Sequence, residues 1–216
     1  MKKIAVYNET QNGKLTTGVK INDWNASLQE LLDAWQPLCD DTAIYKSYAA
    51  GYHDLCKGCQ VNCCNTAYVI PDLISFKKMS RSLGLTYEEF VREYFHREKL
   101  QAGLLRIRPN PCIFLRDNIC TIYAIRSLIC RFYICSPLQG DTEELIYKIS
   151  WTGAAATQVF AEQAGLIDLR GPSACTSFDR LFRELLEEYR SSEGVRYFLD
   201  ADDYADIPLH IFKEQG

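Results

Sequence analysis

Residues 56–65 read CKGCQVNCCN, which puts four thiols within nine positions. Sulfurs so crowded are oxidised in pairs, buried as small hydrophobes, used as nucleophiles, or wrapped around a metal. Four more, Cys112, Cys120, Cys130 and Cys135, fall in a second stretch, and the chain has ten cysteines in all. The amino terminus, MKKIAVYNETQNG, carries two lysines but only the short apolar run IAVY, so it lacks the apolar core of a secretory signal. The uncharged run from Ile149 to Ala161 holds Ser, Thr, Gly and Gln and is too short to span a bilayer. The expected compartment is therefore the cytoplasm, with no membrane partner. In a reducing compartment, clustered cysteines signal metal binding or catalysis more often than structural disulfides.

With 216 residues, 47% of them hydrophobic, the chain is long enough to bury a core without disulfides, and one domain over residues 1–216 is expected. The 24 basic and 28 acidic residues give a net charge of −4, and no stretch gathers Lys and Arg into a stripe. Nucleic acid is therefore not an expected partner.

Residues 3–21 have the pattern of a β-hairpin, with IAVY and KLTTGVKI flanking a turn at Asn12-Gly13. Ser27 and Glu30 have capping-box spacing ahead of Leu28, Leu31, Leu32 and Trp35, which predicts a helix ending at Pro37. Pro71, in the first turn, and Gly84, at the end, bracket a helix carrying Leu73, Phe76 and Leu83. Thr86 and Glu89 form a second capping box in LTYEEFVREYF. Residues 109–137 are rich in apolar and aromatic side chains but follow no single period. Two helices follow. One, made of small residues, lies near 151–164; the other, near 177–190, carries Phe178, Leu181, Phe182, Leu185, Leu186 and Tyr189 at helical spacing. The expected fold is thus mainly helical α+β, with a small N-terminal hairpin and a cysteine-rich metal centre between helices. Residues 50–137 form the metal-binding core and 138–216 a C-terminal helical part.

Cys56 and Cys59 have the C-x2-C spacing that lets two thiolates from one tight turn reach a single metal or cluster, and Cys63 and Cys64 follow three residues later. Neighbouring side chains of an extended chain point opposite ways, so one of that pair can face a metal while the other faces a second metal, the core or a redox partner. Simple packing of one or two thiols, or a thiol–disulfide role for the adjacent pair, are the competing readings.

CKGCQVNCC followed at a distance by NPCIFLRDNICTIYAIRSLICRFY resembles the YkgJ family of zinc- or iron-chelating cysteine-cluster domains over about residues 50–137. The matching positions are Cys56, Cys59, Cys63 and Cys64, then Cys112, Phe114, Leu115, Cys120, Ile122, Tyr123, Arg126, Cys130 and Arg131. Two departures stand out: three residues rather than two separate Cys59 from Cys63, a spacing similar to that of the flagellin lysine N-methylases, and Ser127 replaces the usual proline after Arg126. The resemblance implies a metal centre drawn from Cys56, Cys59, Cys63, Cys64, Cys112, Cys120, Cys130 and Cys135, with Cys59, Cys63, Cys120 and Cys130 ranked first and Cys135 last. A 4Fe-4S cluster is favoured over zinc, because eight cysteines exceed what one zinc uses and the flagellin methylases resemble iron–sulfur proteins.

Four thiolates leave either centre with a net charge of about −2, and Arg126 and Arg131 are the candidate counter-charges, if they are not simply capping or ion-pairing on a short helix. His53 is an alternative ligand. His96 and His210 lie far from the cysteines in sequence, and Cys39 and Cys175 are expected to be buried small residues. LDADDYAD lacks the glycine and glutamate of a calcium loop and reads as a solvated acidic end, and no nucleotide-phosphate motif occurs. The expected function is an iron–sulfur protein with a redox, sensing or unassigned catalytic role and a protein or small-molecule partner. A zinc-stabilised interaction module and a protein-modifying enzyme are the alternatives.

Overall fold

The computed structural model describes residues 2–11, 14–41, 44, 64, 67–117, 119–167 and 176–213. Strands β1 (Ile4–Gln11) and β2 (Lys14–Ile21) pair antiparallel from Ile4↔Ile21 to Gln11↔Lys14, a register that joins them through the two residues 12–13. That is the hairpin expected from the sequence, although its turn lies outside the described residues. The hairpin is stitched to the chain near residue 138: the Thr17 N–H donates to Pro137 O and the Gln139 N–H to Thr17 O, both at 2.9 Å.

Helix α1 (Leu28–Cys39) opens on the expected capping box, with Ser27 Oγ accepting from the Glu30 N–H and Glu30 answering to the Ser27 N–H. It does not stop at Pro37. A proline there forfeits only the bond to the carbonyl four residues back, whereas a further half-turn buries Leu38 and Cys39. Helix α2 (Leu73–Leu83) ends on Gly84, whose φ of 67° is the left-handed conformation that a glycine takes most easily. Its cap is Asp72, so Pro71 stands one residue outside the helix rather than in its first turn. Helix α3 (Tyr87–Tyr94) starts on the Thr86–Glu89 capping box, and α4 (Arg97–Gln101) is a short continuation. Strands β3 (Leu115–Arg116) and β4 (Ile119–Cys120) form a minimal hairpin, and α5 (Leu128–Phe132) follows.

The longest described helix, α6 (Gly140–Gln163), begins eleven residues before the expected start. Gln139 makes no side-chain cap, and the helix buries Thr152, Gly153, Ala154, Ala155, Ala156 and Thr157 in succession, so neither a start signal nor a single apolar stripe marks it in the sequence. These small side chains let α2, α5, α7 (Ser177–Arg190) and α8 (Glu193–Asp200) pack around it. Helix α7 has the bounds expected, but its stripe is only partly used: Leu186 is buried, while Phe178 and Leu181 are 52% and 58% exposed. Its cap is Thr176, and the capping-box partner Asp179 is buried and pairs with Lys99 of α4 at 2.7 Å. The acidic end is structural as well as solvated, since Asp206 accepts from the Asp203 N–H and Asp203 pairs with Lys78 at 2.6 Å. The result is mainly helical, with Trp35, Phe76, Phe90, Phe95, Phe132, Phe198 and Tyr204 among the largest buried side chains. No described helix is long and apolar enough to cross a membrane.

Gly153 shows how tight the packing around α6 is. A Cβ there would lie 2.6 Å from Cβ of Asp72 and 3.2 Å from the Phe198 ring. Alanine improves an open helix by about 1 kcal/mol over glycine, but overpacking a filled site destabilises by about 1–3 kcal/mol. Gly153→Ala should therefore lower the unfolding free energy measured by denaturant titration; a stabilised variant would contradict this packing.

Candidate metal centre

The second cysteine stretch folds as a succession of small turns held by the first. The Cys112 N–H donates to Cys64 O at 2.8 Å, so a backbone bond joins the two cysteine segments. Leu115 N–H turns back to Cys112 O, and the β3–β4 hairpin sets Cys120 opposite Leu115, with Thr121 returning through its N–H and its hydroxyl to Phe114 O. A single turn at Tyr123–Ile125 then leads through Arg126 and Ser127 into α5, which carries Cys130.

These turns bring Cys64, Cys112, Cys120 and Cys130 to the wall of one cavity of about 60 Å³. Its apolar sides are Val69, Met79, Ile107 and Phe114. Cys112, Cys120 and Cys130 form no disulfide. Among the described residues no three His, Cys, Asp or Glu side chains form a group that could hold a metal ion as they stand, so the four thiols share a cavity without forming a ready-made single-ion site.

Removal from water dominates the chemistry of these sulfurs. Burial pushes the Cys112 thiol up, takes Cys120 up to about 11 and raises Cys130 further. The thiols also oppose one another's ionisation: Cys64 raises the other three, and Cys112 and Cys120 raise Cys130. Arg126 works in the opposite sense on Cys120 and Cys130. Its guanidinium is buried, donates to Tyr123 O at 2.6 Å and Cys130 O at 3.2 Å, and lies 3.7 Å from the centre of the Tyr123 ring. Among the described residues no carboxylate pairs with it. Tyr123 also lines the cavity and reaches outward, its hydroxyl donating to Asp40 at 3.1 Å.

The other candidates are distributed differently. Cys135 is not among the residues lining the cavity. Cys56, Cys59, Cys63, His53 and Cys175 lie outside the described residues. Arg131 is directed elsewhere, 5.4 Å from the centre of the Tyr204 ring, so only one of the two arginines faces the thiols. His96 sits at the start of α4, and His210 meets the Tyr197 ring edge-on. Cys39 is the buried small residue expected, its Sγ donating to Arg131 O at 3.1 Å. Asp72 escapes the sequence reading altogether. Its signal was the Asp-x-x-Ser spacing ahead of an apolar run, and the proline before it draws attention away.

The family model CxxCxxCC, described as "Putative zinc- or iron-chelating domain", matches residues 55–164, just over half of the chain. The match takes in both cysteine segments and runs to the end of α6. No curated protein and no solved structure matches the chain, so the likeness to flagellin methylases rests on cysteine spacing alone.

The raised thiols set a pH dependence for the metal-free protein. Below the ordinary thiol value of 9.0 the proton stays on Cys120 in both folded and unfolded chains, and its contribution to stability is fully present. Between pH 9 and about 11 the unfolded chain releases that proton while the folded chain retains it, so stability falls. The melting temperature of metal-free, reduced protein should drop across this window, and Cys120→Ser should flatten the drop. Equal slopes in the two proteins would contradict the buried placement of Cys120.

Proposed function

Since the chain belongs to the CxxCxxCC family of zinc- or iron-chelating domains, we propose that it is an iron–sulfur protein whose Cys64, Cys112, Cys120 and Cys130 hold a 4Fe-4S cluster. The observation that carries this reading is the convergence of one thiol from the first segment and three from the second on a single cavity. Four thiolates suit both a closed zinc site and a 4Fe-4S cluster. The eight cysteines of the two segments exceed what one zinc uses, which supports a cluster over a lone ion.

The residues present fit such a group. A cluster on four thiolates carries net negative charge, and the buried guanidinium of Arg126 is a positive group placed beside two of them. Val69, Met79, Ile107 and Phe114 keep water from the sulfurs, while Tyr123 holds Arg126 in place by stacking on it. When bound, the cluster supplies one-electron redox chemistry whose potential follows from net charge, hydrogen bonding to sulfur and solvent exposure. Cys56, Cys59 and Cys63, next to Cys64 in the chain, would be alternative ligands or serve a second centre. The role is electron transfer or sensing with a protein or small-molecule partner in the cytoplasm.

Protein produced and purified without oxygen should be brown, with a broad charge-transfer band and near-equal iron and sulfide. Serine at position 64, 112, 120 or 130 should abolish or sharply reduce both. A colourless protein with stoichiometric zinc and no iron would replace the cluster with a structural zinc, and protein that retains no metal at all would overturn the reading.

A further inference from the structure

We infer that Asp72, a residue of no assigned role, is the positioning residue of the thiol centre: one buried carboxylate that fixes the helix of Cys130 against the helix that walls the cavity. The inference deepens the metal-centre reading and rests on it.

Asp72 is 1% exposed and accepts four hydrogen bonds from three segments. Oδ1 takes the Ser75 N–H at 3.0 Å and the Tyr204 hydroxyl at 2.9 Å. Oδ2 takes the Ser75 hydroxyl at 2.7 Å and the Leu128 N–H at 2.8 Å. The first contact caps α2, in the usual manner of an aspartate preceding a helix. The last caps a different helix. Leu128 opens α5, and its own cap residue, Ser127, makes no side-chain cap bond. The carboxylate supplies from α2 what α5 lacks.

This bond lies next to the cavity. Ser127 and Cys130 both line it, Met79 of α2 lines it from the other helix, and the Cys130 N–H donates to Ser127 O at 2.9 Å. Fixing Leu128 N therefore fixes the turn from which Cys130 projects. The carboxylate is itself confined. The backbone of Gly153 leaves no space beside its Cβ, and the Thr157 hydroxyl donates to the preceding carbonyl, Pro71 O, at 2.7 Å. Lys78 and Arg131 lie 5.0 and 5.4 Å from the centre of the Tyr204 ring, adding positive charge near a carboxylate that has no ion-pair partner among the described residues.

The donor pattern requires a carboxylate. Each oxygen faces one backbone N–H, Ser75 on Oδ1 and Leu128 on Oδ2, and a backbone N–H cannot reverse its role as the two hydroxyls can. Asparagine in either orientation turns an NH2 group toward one of them, so Asp72→Asn orphans either the cap of α2 or the anchor of α5. Serine behaves differently. It is a good cap for its own helix but too short to reach Leu128 or Tyr204, so Asp72→Ser keeps the cap of α2 while releasing both, and Tyr204→Phe, which loses the tyrosine bond alone, isolates the part due to α5.

The test uses full-length, reduced, metal-free protein with zinc as the probe, since zinc draws on the same thiolates. Partners beyond the ligands typically govern metal affinity by about 10–100-fold, and Asp72→Ser should weaken zinc binding in chelator competition by that amount. Iodoacetamide labelling of Cys130, followed by mass spectrometry without metal, should accelerate in the same variant. Tyr204→Phe removes a hydrogen bond to the same carboxylate but keeps the Leu128 bond, so it should lower the melting temperature while leaving zinc affinity and Cys130 labelling close to wild type. If Asp72→Ser leaves both unchanged, or if Tyr204→Phe moves them in proportion to lost stability, Asp72 is a structural residue only and the inference fails. If wild-type protein takes up no zinc, the metal reading is in question, and Cys130 labelling in the two variants still decides whether Asp72 positions that thiol.

Discussion

Four half-buried sulfurs turned toward one cavity constrain everything else in this molecule. As thiols they are tolerable in an apolar wall; as thiolates they repel one another and lose hydration, which is why burial and mutual repulsion raise Cys120 and Cys130. A cation has to be brought in to make ionised sulfur acceptable there. Arg126 meets that need, with a guanidinium held on two backbone carbonyls and a tyrosine ring rather than on a carboxylate that would neutralise it. A metal bound there would complete the balance, because it would take the deprotonated form and couple its own binding to folding.

The surrounding fold supplies rigidity that the turns cannot. Among the described residues of 112–132 the regular structure is two two-residue strands, a single turn and a five-residue helix, too little to fix three thiols unaided. They are held from outside, by Cys64 through a backbone bond to Cys112 and by Asp72 at the start of α5. Behind Asp72 stands α6, whose run of glycine, alanine and threonine allows α2 to approach closely. Small residues in the central helix and the anchoring of α5, which carries Cys130, to Asp72 at the start of α2 are thus parts of one arrangement.

Local rules carried much of the sequence reading. The Ser27–Glu30 and Thr86–Glu89 boxes, Gly84 as a stop and the hairpin register are short-range chemistry, visible wherever a side chain serves a backbone group within a few residues. Helix α1 ran past Pro37 because burial of Leu38 and Cys39 outweighed one lost bond, and α6 began early because a buried helix of small residues has no apolar stripe. The cavity itself was legible only as two clusters of cysteine. Which thiols share it depends on contacts more than forty residues apart in sequence, such as Cys64 with Cys112, and so does the distinction between Arg126, which faces the sulfurs, and Arg131, which turns to Tyr204. Asp72 was hidden for the same reason: its own helix shows it as a cap, and its partner at Leu128 lies 56 residues away.

Ligation of one metal centre by thiols from both cysteine segments is the proposal on which the rest depends. X-ray absorption at the metal edge of anaerobically purified protein tests it most directly, since it counts the atoms bonded to the metal. The expected result is a coordination shell made of sulfur, which acquires a lighter oxygen scatterer or loses its metal when Cys64 or Cys130 becomes serine. A shell dominated by nitrogen and oxygen, or a sulfur shell that no substitution between residues 112 and 130 alters, would contradict it.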